Sequence, residues 1–182
     1  MPIRTDSGLK LTYEDYAQIE EDGRRHEILD GAHYVSPAPT PRHQTVSRRI
    51  QFQLYEQLER TGRAEVYNAP IDVELSRFDI AQPDLVVVSR ARAAIVTESR
   101  ILGTPDLLVE ILSPSTSKVD RGLKRERYAK AGVPEYWIVD PRERVVDQFV
   151  LGDGELRLRE QARERIVPAV FPDVAVDLTQ VW

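Results

Sequence analysis

The chain has 182 residues, 41% of them hydrophobic and 30% charged, which is typical of a single globular domain spanning residues 1–182. It has no cysteine, so a disulfide scaffold and thiolate metal sites are excluded. No run of about 18 apolar residues and no signal-peptide pattern occurs, and we therefore expect a cytoplasmic protein without membrane contact. A net charge of -5 does not indicate a nucleic-acid-binding protein, although a local basic patch matters more than the sum.

The first third of the chain predicts two helices and a hairpin. The elements are a short helix capped by Thr12, strands at 25–29 and 32–35 around the turn Asp30-Gly31, and a helix from Pro41 to about Arg60 that Thr40 caps. Strand alternation leaves the direction of Glu27 open, and a solvent-facing position is its simpler interpretation. His43 lies near the apolar stripe of the helix, where a histidine is more often a packing residue than a ligand.

The middle of the chain predicts strands at 64–68, 71–75 and 83–89, followed by an exposed segment at 91–103. Asp84 stands at the start of the third strand, on the face that carries Val86 and Val88. It is the one acid of that apolar run. The alternative is structural, because an aspartate after a proline often closes a turn.

A second apolar strand follows Pro105, and it contains a single charge, Glu110. Strand alternation places Glu110 on the same face as Leu108 and Leu112. A carboxylate flanked in this way is costly to bury unless it is paired or holds a metal ion.

The segment after this strand predicts a helix. Ser117 and Asp120 fit a capping box, while Gly132 and Pro134 fit a helix end. A helical wheel places Lys124 on the half that turns toward the sheet. The simpler interpretation is an ion pair between Lys124 and Glu110 that ties the helix to the strand.

The C-terminal part predicts another hairpin and an irregular end. The hairpin joins strands at 144–151 and 155–159, and residues 167–182 add edge strands or a dimer contact.

Asp84, Glu110 and Lys124 together suggest hydrolytic chemistry. Two carboxylates on neighbouring strands form the hard-oxygen site that Mg²⁺ prefers. Such an ion can lower the pKa of a bound water and neutralise a phosphoryl oxygen. A lysine beside it can orient the attacking water or stabilise charge in the transition state. These are the parts needed to hydrolyse a phosphodiester.

The sequence resembles the PD-(D/E)XK nuclease superfamily, and within it the Uma-two family of restriction-endonuclease-like proteins. The resemblance covers roughly residues 13–149. Its motifs are Gln82-Pro83-Asp84, residues 109–115, Asp120, Lys124, Tyr128, residues 132–137, residues 25–31 and residues 36–39.

This resemblance implies a restriction-endonuclease-like α/β fold: a central mixed β-sheet flanked by helices, here with an extra N-terminal hairpin and C-terminal strands. Asp84 and Glu110 would match the two motif acids, with the Ile111 carbonyl as a further metal ligand. The superfamily usually places its lysine two residues after the second acid, where this chain has Leu112. In this family the lysine lies on the following helix, at Lys124.

The resemblance also assigns supporting residues and a cofactor. Glu27 would match an upstream catalytic acid. Four side chains would support the acids: His43, Gln82, Asp120 and Tyr128. The implied cofactor is Mg²⁺, which Mn²⁺ can replace.

Two classes of function follow from these residues. The first is a Mg²⁺-dependent DNA endonuclease, and the second is a catalytically inactive nucleic-acid-binding or scaffold protein that retains the nuclease fold. A phosphodiesterase acting on small nucleotides is a third possibility. Cleavage of both strands of a duplex suggests a homodimer. DNA phosphates would contact local basic residues, for which the candidates are Arg42, Arg48, Arg49, Lys118, Arg121 and Arg125.

Overall fold

Two six-stranded sheets form the frame of the molecule. The structure is a computed structural model, and it describes residues 3–5, 9–20 and 22–182. In chain order the strands are β1 (Ile3–Thr5), β2 (Arg25–Leu29), β3 (Ala32–Ser36), β4 (Ala64–Asn68), β5 (Val73–Ser76), β6 (Asp79–Ala81), β7 (Leu85–Ser89), β8 (Ile101–Leu102), β9 (Leu107–Ile111), β10 (Glu135–Asp140), β11 (Val145–Gly152), β12 (Glu155–Ala162), β13 (Arg165–Ile166) and β14 (Val176–Asp177). The helices are α1 (Tyr13–Tyr16), α2 (Pro41–Leu54), α3 (Ser117–Val119) and α4 (Arg125–Lys130).

Several helices continue into tighter or wider turns. A π-helical turn, Tyr55–Glu59, extends α2, and another, Asp120–Lys124, joins α3 to α4. Short 3₁₀ helices cover Arg90–Ile95 and Leu178–Gln180. Within the described part of the chain, no helix is both long and apolar enough to cross a bilayer.

The central sheet has the strand order β12-β11-β10-β9-β7-β4. Strands β9 and β10 are parallel, and the segment from α3 to α4 makes the crossover between them. The other neighbouring pairs are antiparallel, so the sheet is mixed, as predicted. Every residue of β9 is buried, which is typical of a strand that is covered on both faces.

Each face of the central sheet has its own core. On one face, Val87, Val109 and Val139 pack with Ile50 of α2 and with the C-terminal segment around Val176. On the opposite face, other residues of the same strands pack against α4 and against the second sheet. These include Val86, Leu108, Ile138, Tyr128 and Leu29. Asp84 and Glu110 lie at the edge of this second core.

The second sheet has the order β1-β3-β2-β6-β5-β8 and adds to the predicted central mixed sheet. The predicted N-terminal hairpin is present, with Asp30 and Gly31 in its turn at positive φ. It does not stand alone, because Ile28 of β2 pairs with Ile80 of β6. Strand β6 was not predicted, since three residues are too few to show an alternation.

Two further expectations need correction. The segment at 91–103 is not simply exposed, because Ile101 is buried in β8, which pairs with β5. The predicted capping box of the helix after β9 is wrong, since the helix begins after Thr116 without a side-chain cap and Asp120 is buried in a π-helical turn. The C-terminal residues do contribute a short strand, β14, which pairs with β13.

Candidate active site

A cavity of about 170 Å³ lies where β2, β7 and β9 meet α2 and the helical segment after β9. The proline-rich loop 36–40 forms one wall of it. Seven ionisable side chains line the cavity: Arg25, Glu27, His43, Asp84, Glu110, Asp120 and Lys124. Six of them were singled out by the sequence, and the structure brings all of these together.

Asp84 is held from three directions. Its Oδ2 atom accepts a hydrogen bond of 2.7 Å from the Ile111 backbone N–H of the neighbouring strand and lies 3.0 Å from His43 Nε2. Its Oδ1 atom is 2.6 Å from the Arg25 guanidinium. Asp84 is therefore a fixed and buried carboxylate, and closing a turn is not its role.

Glu110 and Lys124 form the centre of the cluster. Lys124 Nζ donates to Glu110 Oε1 at 2.9 Å, and the Tyr128 hydroxyl donates to the same oxygen at 2.8 Å. The ion pair foreseen as the simpler interpretation thus exists. It is one contact of a larger cluster, because Lys124 Nζ is also 2.8 Å from Glu27 Oε1 and 3.6 Å from Asp120 Oδ1.

The expectation that Glu27 faces solvent is wrong. Only 3% of the residue is exposed, and its Oε1 atom accepts from both Lys124 Nζ and the Gln82 backbone N–H. Alternation along β2 was uninformative because both faces of this strand are covered. The resemblance, which assigned Glu27 as an upstream acid, placed it better than periodicity did.

The four residues expected to support the acids differ in what they contact. Tyr128 reaches Glu110 and His43 reaches Asp84, as described above. The Gln82 side chain turns away from the cavity and donates to Tyr16 and Asp72, so only its backbone reaches Glu27.

Two polar atoms at the cavity lack a hydrogen bond to any described residue. Asp120 Oδ1 and His43 Nδ1 are both buried without a hydrogen-bond partner. A buried polar atom in this state is rare in folded proteins and often marks a place for a ligand, an ion or a water.

The surroundings shift the pKa values of Asp84 and Glu110 in opposite directions. Burial alone would raise the pKa of Asp84, but the His43 hydrogen bond, the Arg25 charge and the Ile111 N–H lower it to about 2. Burial raises the pKa of Glu110 to about 8, and the Lys124 charge offsets only part of this effect. Such a separation of two neighbouring carboxyl groups is typical of functional sites.

Asp120 and Lys124 are perturbed as well. Burial raises the pKa of Asp120. Burial alone would lower the pKa of Lys124, but the charges of Glu110, Glu27 and Asp120 together raise it. Lys124 is therefore a permanent cation at the base of the cavity.

The charges of the cavity fit a divalent cation. Four carboxyl groups face two fixed cations, Arg25 and Lys124, so two negative charges are left when all four are ionised and His43 is neutral. The oxygens of Asp84 and Glu110 and the Ile111 carbonyl are the donor type that Mg²⁺ prefers. Across residues 3–5, 9–20 and 22–182, however, no three acidic or histidine side chains are already arranged as a ligand group.

Arg25 is the residue of this cavity that the sequence did not single out. It begins β2 and looks like an ordinary charged residue at a strand end. The sequence feature that could have indicated Arg25 is the family motif at residues 25–31, of which it is the first residue.

A mixed α/β fold with buried acids and a lysine in one cavity defines the restriction-endonuclease-like class of protein. A model of the Uma2 family, described as "Putative restriction endonuclease", matches residues 13–179. This chain belongs to the Uma2 family.

Two individual proteins are similar to this chain. It is 31% identical over 175 residues to the uncharacterized protein slr1290 of Synechocystis, a match that covers 93% of this chain and 90% of the relative. Its fold is similar to the crystal structure of a putative nuclease belonging to DUF820 from Anabaena variabilis, with a TM-score of 0.78 and 18% identity. That similarity covers 94% of this chain and 97% of the other, and it confirms the predicted fold class.

Proposed function

We propose that this chain is a Mg²⁺-dependent endonuclease that hydrolyses phosphodiester bonds of DNA, with Mn²⁺ able to replace Mg²⁺. Asp84 directly precedes β7 and Glu110 lies in the neighbouring strand β9. Both share one cavity with Lys124, and this arrangement supports the proposal most directly. The family description and the name of the structural neighbour support a nuclease in general.

Asp84, Glu110 and the Ile111 carbonyl would hold the metal ion. When bound, a divalent ion lowers the pKa of a coordinated water and neutralises charge on a phosphoryl oxygen. With all four carboxyl groups ionised, the cavity has two uncompensated negative charges, which supports binding of a cation there. The Asp120 Oδ1 atom supports it as well, because it has no hydrogen bond to any described residue.

The protein's own groups position the acids and the substrate. The Ile111 N–H and His43 hold Asp84 Oδ2, while Tyr128 and Lys124 hold Glu110 Oε1. Lys124 favours the ionised form of Glu110 and supplies a fixed positive charge beside the phosphate that reacts. Because Asp84, Glu110 and Lys124 are almost fully buried, these electrostatic effects are stronger than they are in bulk water.

The exposed basic residues that could bind DNA phosphates are fewer than the sequence suggested. Three remain exposed without an ion pair to another described residue: Arg42, Arg48 and Lys118. The other three are engaged: Arg49 donates to the carbonyls of Val181 and Trp182, Arg121 pairs with Asp147, and Arg125 lies over the ring of Phe149. We propose that the first three contribute the phosphate contacts.

We further propose a homodimer, since cutting both strands of a duplex calls for two sites and most small assemblies have two-fold symmetry. Sedimentation of the protein with and without duplex DNA tests this directly. A monomer in both conditions contradicts the homodimer and leaves the cleavage chemistry untouched.

The test of the activity uses supercoiled plasmid with Mg²⁺ or Mn²⁺. We expect the wild type to nick or linearise the plasmid, and Glu110→Gln and Lys124→Met to abolish cleavage. Glu126→Gln and Lys130→Met are matched controls, because these two residues form an exposed ion pair at the end of the same helical segment. The proposal is wrong if the wild type neither cuts DNA nor binds either metal ion.

The alternative is a catalytically inactive nucleic-acid-binding or scaffold protein. This alternative is favoured by the net charge of -5 and by the ion pair that Arg25 forms with Asp84. DNA binding without cleavage and without metal binding would support this alternative. Hydrolysis of a small model phosphodiester without plasmid cleavage would instead indicate a phosphodiesterase of small nucleotides.

A further inference from the structure

Arg25 places a positive charge where the proposed function needs a metal ion. Its Nη2 atom is 2.6 Å from Asp84 Oδ1, and the side chain is 18% exposed whereas that of Asp84 is 3% exposed. Arg25 is therefore the more accessible member of the pair, and it lines the cavity together with the acids.

The two oxygens of Asp84 have different partners. Oδ2 is fixed by the Ile111 N–H and by His43, both of which belong to the rigid frame of β9 and α2. For Oδ1, Arg25 is the only partner among the described residues. If Arg25 leaves, Asp84 keeps its position and offers Oδ1 to another cation.

A metal ion and Arg25 cannot both occupy this place. The guanidinium already satisfies Oδ1, and two cations on one oxygen of a carboxylate that is only 3% exposed repel each other strongly. Lys124 is a different case, because three carboxylates surround it and Asp84 is not one of them. At Asp84, the competition therefore concerns Arg25 and not Lys124.

The backbone of Arg25 lies beside the loop at the rim of the cavity. It is paired in register with Ser36, at the start of the loop that forms the cavity wall. Its side chain thus reaches from the rim of the cavity toward Asp84. A guanidinium at the rim can bind two phosphate oxygens at once, which is the geometry that arginine favours.

We propose that Arg25 is an internal counterion of Asp84 that a divalent metal ion displaces, and that the displaced guanidinium then binds the phosphate of the substrate. This inference rests on the proposed metal-dependent nuclease function. It makes metal binding and substrate binding cooperative, because the metal ion releases the group that contacts the phosphate.

Titration calorimetry with Mn²⁺ alone tests the first half. We expect Arg25→Gln to bind Mn²⁺ roughly tenfold or more tightly than the wild type, the size of one charge-assisted hydrogen bond. Arg25→Lys keeps the charge and should stay close to the wild type. Arg24→Gln is the matched control, because Arg24 is the exposed neighbour and makes only a loose pair with Asp22.

The thermal shift caused by Mn²⁺ keeps the test valid if Arg25→Gln is less stable. Removing Arg25 leaves Asp84 with one unpaired oxygen, so Mn²⁺ should raise the midpoint of unfolding more in this variant than in the wild type. Equal or weaker Mn²⁺ binding by Arg25→Gln overturns the inference while the nuclease proposal stands. Absence of Mn²⁺ binding by both proteins overturns the nuclease proposal as well.

Binding of a duplex oligonucleotide with phosphorothioate linkages tests the second half. Fluorescence anisotropy should show weaker binding by Arg25→Gln than by the wild type when Mn²⁺ is present, and similar binding by the two proteins without it. Equal binding by both proteins in the presence of Mn²⁺ would discard the phosphate contact.

Discussion

Lys124 Nζ lies 2.9 Å from Glu110 Oε1, although the two residues belong to different elements and both are almost fully buried. The lysine comes from a π-helical turn, Asp120–Lys124, inside the helical segment that follows β9. π-helical turns of this kind are often found at functional sites. Here the turn buries both of its ends, Asp120 and Lys124, against the acids of the sheet.

Removing the charge of Lys124 should destabilise the protein strongly. Lys124→Met leaves Glu27 and Glu110 buried without their cation, and breaking a buried ion pair in this way typically costs about 3 to 5 kcal/mol. Urea unfolding at neutral pH measures the loss. Lys130→Met is the control and should change the free energy of unfolding little, because Lys130 is exposed. A similarly small change in Lys124→Met would show that the cluster is solvated.

The stability of the metal-free protein should fall as the pH rises toward the pKa of Glu110. This carboxyl group has a folded-state pKa raised to about 8 from an ordinary value of 4.5, so folding favours its protonated form. Its contribution is fully present below pH 4.5 and is lost as the pH rises to about 8. Glu110→Gln should flatten this part of the profile in denaturant titrations. An unchanged slope in that variant would contradict the raised pKa.

The contribution of Asp84 to stability should depend on pH in the opposite direction, and it should change at lower pH. Its pKa is lowered to about 2 from 3.8, so its contribution is present above pH 3.8 and is lost as the pH falls toward 2. Asp84→Asn should therefore remove stability at neutral pH but remove little at the acid end. Equal destabilisation at both ends would mean that Asp84 acts through packing and not through its charge.

Much of this site could be predicted because single charges interrupt apolar runs. Asp84 and Glu110 each lie beside buried valines and leucines, and a helical wheel alone turned Lys124 inward. Glu27 and Arg25 could not be placed by pattern, because β2 is covered on both faces and alternation there carries no signal. The resemblance supplied Glu27, and only the structure supplied Arg25.

Strands and turns with strong local patterns were predicted correctly. The elements whose formation depends on pairing between distant segments were missed. The apolar strands β7, β9 and β10 and the turn Asp30-Gly31 were clear from sequence. The second sheet was not, since it depends on β2 meeting β6, an element of three residues. A bridge between Ile28 and Ile80 leaves no trace in the spacing of either segment.

The exposed basic residues should determine how DNA binding depends on salt. Replacing Arg48 or Lys118 by glutamine should weaken binding of any DNA sequence and lower the slope of log affinity against log salt by about 1 for each phosphate that the variant no longer neutralises. Arg157→Gln is the control, because Arg157 is exposed but pairs with Asp153 in a hairpin that does not line the cavity. Equal slopes for wild type and variants would exclude these residues from the interface.

Glu135 offers a matched comparison that separates burial from function. It is also a buried acid on a central strand, with its pKa raised by burial. Its Oε1 atom accepts from the Trp137 indole, and Oε2 accepts from the Val170 N–H at 3.0 Å, which ties the C-terminal segment to β10. Among the described residues, its hydrogen-bond partners are neutral: the Trp137 indole, the Gln148 amide and the Val170 N–H. Within the part of the chain that the structure describes, Glu135 therefore has no cluster of neighbouring carboxylates that would attract a metal ion.

Glu135→Gln should therefore lower the unfolding midpoint and leave Mn²⁺ affinity unchanged, whereas Glu110→Gln should abolish Mn²⁺ binding. The physical reason is that Glu135 only accepts hydrogen bonds within the fold, while Glu110 lines the charged cavity. Calorimetric titration of both variants with Mn²⁺, after each is shown to be folded by circular dichroism, makes the comparison. Loss of Mn²⁺ binding in Glu135→Gln would mean that metal affinity follows the stability of the sheet and not the charges of the cavity.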